Sequence, residues 1–160
     1  MDVRPLAVFD IDGVLADVSH RLHLVAGRHQ DWDAFFAAAR EDPPFPQGVA
    51  LAVASAQDCD VVYLTGRPEP CRADTLTWLS AHGLPEGELV MRPGDDRRPA
   101  RLAKPPLLRR LARGRTVAVV VDDDEQVCDA YERAGHRVLR PRWAHDAQVL
   151  AQAQEGEGRT

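Results

Sequence analysis

The stretch Leu6-Ala7-Val8-Phe9-Asp10-Ile11-Asp12-Gly13 decides the fold. Four apolar residues run unbroken, then give way to two acids and a glycine. Such a short, wholly apolar run, ending in turn chemistry, suits a strand buried on both faces of a parallel sheet. Outward from it the pattern repeats. Val61-Val62-Tyr63-Leu64 ends in Thr65-Gly66, and Leu89-Val90-Met91 is a weaker third run. Val117 to Val121 ends in Asp122-Asp123-Asp124, and Arg137-Val138-Leu139 is a fifth. Helical spacing lies between the runs. Val49 to Gln57 is one helix. Pro68 to His82 is another, with Pro68 in its first turn and Gly83 closing it. Arg101 to Arg113 and Glu125 to Ala134 complete the set. Strand–helix alternation of this kind predicts an α/β fold with a doubly wound parallel sheet.

Residues 16–46 interrupt the alternation. They hold an amphipathic piece, Asp31 to Phe36, and a proline-rich exit, Asp42-Pro43-Pro44-Phe45-Pro46. The segment is too small for a domain and predicts a lid or flap inserted into one domain of residues 1–152. The polar end, residues 153–160, is expected to be disordered.

Composition bounds the function. Of 160 residues, 44 % are hydrophobic and 28 % charged, the balance of a globular protein with one core. No apolar run is long enough to span a membrane, and no signal peptide is evident, so a cytoplasmic location is expected. Cys59, Cys71 and Cys128 form no CxxC pair, which argues against a disulfide framework or a zinc site. His20, His23 and His29 lack a fourth zinc ligand. The net charge of −5 does not suit a nucleic-acid coat protein, yet Arg92 to Arg115 holds nine basic residues against two acidic ones. That stretch reads either as a track for a nucleic-acid backbone or as a solvated face. Lys104, within it, is the only lysine among twenty basic residues.

In an open parallel sheet, ligands bind beyond the carboxyl ends of the strands. Asp10 and Asp12 stand there, with Thr65, Gly66 and Arg67, and Asp122 and Asp123. Carboxylates this close repel one another unless a cation sits among them. A hard, oxygen-binding divalent ion, Mg²⁺, fits such a set. Asp124 is read instead as the cap of the helix from Glu125, and Cys128 as core.

These stretches resemble the haloacid dehalogenase (HAD) superfamily of phosphotransferases. FDIDGVLAD is similar to its first motif, VVYLTGR to its second, Lys104 to the lysine of its third, and VVVDDDEQV to its fourth. The resemblance implies a HAD-like Rossmannoid fold and a Mg²⁺-dependent phosphomonoesterase. Asp10 is then the nucleophile that forms an aspartyl-phosphate. Asp12 is the general acid and base, its carbonyl also facing the metal. Thr65 and Gly66 hold the phosphoryl group, and Lys104 balances charge between it and Asp10. Asp10, Asp12, Asp122 and Asp123 form the metal set.

From Phe9 to Trp143 the chain resembles the phosphatase half of bacterial and phage polynucleotide kinase/phosphatases. That likeness implies removal of 3′-phosphates from DNA or RNA ends, with Arg67 and Arg72 near the phosphate. No GxxxxGK[ST] loop occurs, so no kinase domain is expected in this chain. Trp32, Phe35 and Phe36 are the candidates for base stacking, or else the core of the lid. Two rival readings stand. DGVLAD with Asp17 also resembles 5′(3′)-nucleotidases, whose substrate is a free nucleotide. A catalytically silent HAD-fold binding module is the other, against which the full set of motif residues speaks.

Overall fold

A computed structural model describes residues 3–143. The expected disordered end at 153–160, and the expected domain end at 152, lie outside the described residues. Five parallel strands form one sheet in the order β3-β2-β1-β4-β5. They are β1 Leu6–Phe9, β2 Asp60–Pro68, β3 Glu88–Arg92, β4 Val117–Val121 and β5 Val138–Leu139. The helices are α1 Trp32–Ala37, α2 Pro46–Ser55, α3 Arg72–Ala81, α4 Ala100–Leu111 and α5 Glu125–Arg133.

The apolar runs are explained by burial on both sides. Ala7, Phe9, Val61, Tyr63 and Val121 pack with Ala52 of α2 and with Trp78 and Leu79 of α3. The alternate residues Leu6, Val8, Val62, Leu64 and Val120 pack with Leu108 of α4 and with Val127 and Tyr131 of α5. Period-two alternation thus feeds two cores instead of one core and solvent. Truncating the fully buried Phe9 to alanine would cost about 3–5 kcal/mol.

β2 runs four residues beyond Leu64. Thr65 pairs with Met91, and after an irregularity Pro68 pairs with Arg92. Pro68 is therefore extended, with φ −76° and ψ 154°, and does not open a helix as expected. A 3-10 turn, Glu69–Cys71, intervenes and takes Pro70 in its first turn, so α3 starts only at Arg72.

Residues between β1 and α2 form 3-10 turns at Ser19–Leu24 and Ala38–Glu41 on either side of α1. Val18, Leu22, Val25, Trp32 and Phe35 make a separate apolar cluster there. Trp32 and Phe35 are buried in it, while Phe36 is half-buried. The segment is tied to its base by Asp17 N–H to the Pro43 carbonyl at 2.8 Å and Phe45 N–H to the Leu15 carbonyl at 2.7 Å. Among the described residues, no helix is long and apolar enough to cross a membrane.

Candidate active site

The sheet order makes β1 and β4 neighbours, and their ends carry the acids. Phe9 pairs with Val121, and the Asp10 N–H donates to the Val121 carbonyl at 2.9 Å. Asp10 and Asp122 therefore leave the sheet side by side. Asp123 joins them: oxygens of Asp10, Asp122 and Asp123 lie within 4.8 Å of one another. Gly13 makes room for it. Its φ is +84°, and a Cβ there would sit 2.0 Å from Asp123 Oδ2. Lys104 reaches in from α4, with Nζ 2.7 Å from Asp122 Oδ2 and 3.2 Å from Asp10 Oδ2. Asp124 accepts from the N–H groups of Gln126 and Val127, capping α5 as expected.

Burial pushes the Asp10 carboxyl up to about 7; Lys104 opposes this, while Asp122 and Asp12 add to it. Asp123 is pushed well above the usual carboxylate range by burial and by Asp10 and Asp122. Burial disfavours the Lys104 ammonium, but Asp10 and Asp122 override it and hold the charge. Three carboxyl groups share one ammonium, and ionising all three together calls for a further cation among them. An all-oxygen set of this charge fits a divalent hard cation, and the residues suit Mg²⁺.

Asp12 points into a second network. Its Oδ1 accepts from Arg67 Nη2 at 2.6 Å, Arg67 Nε at 3.0 Å and Arg21 Nη2 at 3.0 Å. Its Oδ2 is buried and has no hydrogen-bond partner. Burial would raise the Asp12 carboxyl, but Arg67 and Arg21 hold it down at about 2. Arg21, wholly buried, also clamps Asp42 through Nε at 2.8 Å and Nη2 at 2.7 Å. Its guanidinium lies 4.1 Å over the Phe35 ring. Burial raises the Asp42 carboxyl against the pull of Arg21. His20 Nε2 lies 2.7 Å from Asp42 Oδ1.

The predicted residues thus divide. Asp10, Asp122, Asp123 and Lys104 meet, with Asp12 beside them. Thr65 and Gly66 are buried at the adjoining end of β2, where Thr65 Oγ1 accepts the Arg67 N–H at 3.1 Å. Arg67, expected on the phosphate, has its guanidinium on Asp12 and, at 3.1 Å, on Thr75 Oγ1. Arg72 is not brought to the acids. As the first residue of α3 it pairs with Glu69, three residues back, and donates to the Leu89 carbonyl at 3.0 Å on the edge strand. The basic stretch is split by α4, whose twelve residues span roughly 18 Å. Lys104 lies at the acids, whereas Arg115 donates to Asp60 and to the Arg4 carbonyl where β1 and β2 begin. Arg92 to Arg115 is no continuous track.

Arg21 and Asp42 were missed. The signal for Arg21 was a charge among Val18, Leu22 and Val25, on the stripe that helical spacing buries. Asp42 before Pro43-Pro44 reads only as a turn residue, and nothing local tells its burial.

The family described as "Polynucleotide kinase PNKP phosphatase domain" matches residues 5–142. No curated protein sequence matches the chain. Among solved structures, a chain of the Pnkp1/Rnl/Hen1 RNA repair complex superposes with a TM-score of 0.73 at 22 % identity, covering 86 % of this chain and 42 % of that one. A class C acid phosphatase from Bacillus anthracis with tungstate bound gives 0.65 at 14 % identity, covering 97 % and 80 %. A HAD family enzyme from Bacteroides thetaiotaomicron, in complex with magnesium and inorganic phosphate, gives 0.55 at 11 % identity, covering 92 % and 99 %. At these identities the likenesses speak to the fold, and the chain spans less than half the length of the repair-complex chain. The match over residues 5–142 runs through every element that builds the acidic centre: this chain belongs to the polynucleotide kinase PNKP phosphatase domain family and is a HAD-type phosphatase.

Proposed function

We propose that this phosphatase is Mg²⁺-dependent, works through an aspartyl-phosphate on Asp10, and removes 3′-phosphates from nucleic-acid ends. One observation carries the mechanism. Beside the Asp10 cluster stands a second acid, Asp12, with one oxygen held by two arginines and the other buried and unpartnered. That free oxygen is the donor site for a leaving group.

The Asp10 carboxylate attacks phosphorus, and the bond from phosphorus to the ester oxygen breaks. Asp12 Oδ2, which takes up a proton from solvent when the bound phosphate raises its carboxyl, passes that proton to the ester oxygen and releases a hydroxyl end. Water then attacks the aspartyl-phosphate and gives its proton to Asp12, releasing inorganic phosphate and regenerating Asp10. An arriving phosphate adds negative charge beside Asp12 and raises its carboxyl from the low resting position, the direction an acid requires. Asp10, Asp122, Asp123 and the Asp12 carbonyl are the groups to hold Mg²⁺, which when bound neutralises charge between Asp10 and the phosphate. Thr65 and Gly66 hold the phosphoryl oxygens, and Lys104 supplies the fixed positive charge. Arg67 serves by holding Asp12 and reaches the phosphate only if it lets go; Arg72 is left to the surface.

The substrate class rests on family membership and on the kinship in fold to RNA repair proteins. The test is phosphate release, with Mg²⁺ and with chelator, from a 3′-phosphorylated oligonucleotide, its 5′-phosphorylated twin and free nucleoside monophosphates. Asp10→Asn is the blank. Metal-dependent preference for the 3′-phosphorylated oligonucleotide is expected. Preference for free nucleotides would replace the substrate reading with that of a nucleotidase. Near-normal activity of Asp10→Asn would remove the nucleophile.

A further inference from the structure

Helix α4 carries two prolines in its interior, Pro105 and Pro106, directly after Lys104. A proline has no N–H, so two successive rungs of the helical ladder cannot form, and each ring crowds the carbonyl one turn back. Pro105 also disfavours helical backbone at the residue before it, which is Lys104 itself. In a helix interior proline is the most unfavourable residue of all. Burial offsets little of that here, because Pro105 is half-buried and Pro106 exposed.

The break divides α4 into two pieces that are anchored differently. The first turn closes on itself: the N–H groups of Leu102 and Ala103 donate to the Pro99 carbonyl at 2.9 and 3.0 Å. Besides Lys104, its buried side chains are Ala100 and Ala103, one methyl each. The second piece sets Leu107, Leu108 and Leu111 against Leu6, Val8, Val62 and Leu64 of the sheet. Apolar anchorage scales with buried area, so the turn that carries the lysine is the more weakly held. The loop that leads into it, residues 93–99, is mostly exposed.

Lys104 has a reason to shift. Its Nζ stands 2.7 Å from Asp122 Oδ2 and 3.2 Å from Asp10 Oδ2. The proposed mechanism gives those carboxylates to Mg²⁺ and to phosphorus, and the ammonium to the phosphoryl group. Substrate arrival therefore exchanges the partners of Lys104. The residue is 2 % exposed, and close packing leaves its side chain little room to change rotamer, so the backbone must follow. We propose that Pro105 and Pro106 are positioning residues: they uncouple the first turn of α4 from the rest, and that turn carries Lys104 from its carboxylate contacts onto the phosphoryl group. The charge is permanent, and its carrier moves. The assignment rests on the phosphatase reading of the site and not on the 3′-end substrate.

The test is Pro105→Ala/Pro106→Ala, which restores both N–H donors. Amide hydrogen exchange in low urea, on metal-free protein, reads the uncoupling. In the wild type the Ala103 amide is expected to exchange by local opening, at a rate that urea leaves unchanged, while Leu108 exchanges faster as urea rises. In the double variant both amides are expected to follow urea. Tm should rise by about 5–10 °C. On p-nitrophenyl phosphate, kcat should fall by about 10-fold with KM within about twofold. Prolines that were merely structural would not yield an enzyme that is more stable and slower. An unchanged kcat, a lower Tm, or a wild-type Ala103 amide that follows urea as Leu108 does overturns the proposal. A wild type that hydrolyses no phosphomonoester removes the phosphatase reading and the task given to the turn, whatever the exchange data show.

Discussion

Replacing Arg21 with methionine removes the cation that joins Asp12 and Asp42. Arg21 donates to Asp42 at 2.8 and 2.7 Å, to Asp12 at 3.0 Å and to the Phe35 carbonyl at 3.2 Å, with no solvent exposure. Asp12 keeps Arg67 at 2.6 Å, so it stays paired. Asp42 keeps only His20 and a 3.4 Å contact with Arg67, so its buried charge is poorly compensated. Breaking a buried ion pair from one side costs about 3–5 kcal/mol. At about 2–4 °C per kcal/mol for a domain of this size, Tm falls by about 6–20 °C. Asp42→Asn makes the complementary break. The double variant leaves neither charge of the Arg21–Asp42 pair buried without its partner, and its cost should fall short of the sum by at least about 1 kcal/mol. Urea unfolding followed by tryptophan fluorescence reads this directly. Trp32 packs in the cluster under Arg21, and the Trp78 indole N–H donates to the Asp42 carbonyl at 2.9 Å. Additivity within about 0.5 kcal/mol would refute the reasoning, since it would mean the two side chains do not stabilise each other.

Gly13→Ala places a methyl 2.0 Å from Asp123 Oδ2 at a φ of +84°. It is expected to lose about 1–3 kcal/mol and most of the rise in Tm that the proposed Mg²⁺ site predicts for the wild type, measured by thermal melts of both across a Mg²⁺ titration. Arg109→Glu/Arg110→Glu/Arg113→Glu alters only the far end of the basic stretch. At physiological salt, where charges are screened within about 8 Å, KM for a 3′-phosphorylated oligonucleotide should change by less than about twofold; a large rise would restore the continuous track. Two carboxyls should make the metal-free protein respond to pH in opposite senses. Asp10, raised from 3.8 to about 7, destabilises the fold when charged, so stability rises as pH falls from 8 toward 4. Asp12, lowered from 3.8 to about 2, contributes stability present above 3.8 and lost as pH falls through 2. Melts from pH 8 to pH 2 should show this maximum. Asp10→Asn should flatten the upper limb, and Asp12→Asn should weaken the lower one.

The sheet was legible because its apolar runs are unbroken and each ends in chemistry. Leu6–Phe9 and Val117–Val121 fall where the pattern sets them. The end of β2 was not legible: Pro68 fits a first helical turn as well as an extended strand, and only pairing with Arg92 decides it. The acids of the centre follow their strands, so sequence position located them. The arginines did not follow. Arg67, Arg72 and Arg21 have long side chains whose partners are set by tertiary packing: Arg72 lies close in sequence to Arg67 yet turns to the sheet edge, while Arg21, in an inserted segment, reaches Asp12. The base-stacking candidates divided for a similar reason. Trp32 and Phe35 complete a small cluster that needs them, and Phe36 is left half-open.

The place of β1 at the middle of the sheet bears on how the protein is made. The acids of β1 leave the ribosome well before β4, which leads into Asp122 and Asp123 and supplies the carbonyl that anchors Asp10. Until then β1 has an open flank, and the apolar strands expose unpaired edges of the kind that associate between chains. Contacts this distant in sequence also form slowly. A chain halted before Val117 therefore has neither the acidic centre nor a closed sheet, and the gathering of the acids arrives together with the protection of the fold.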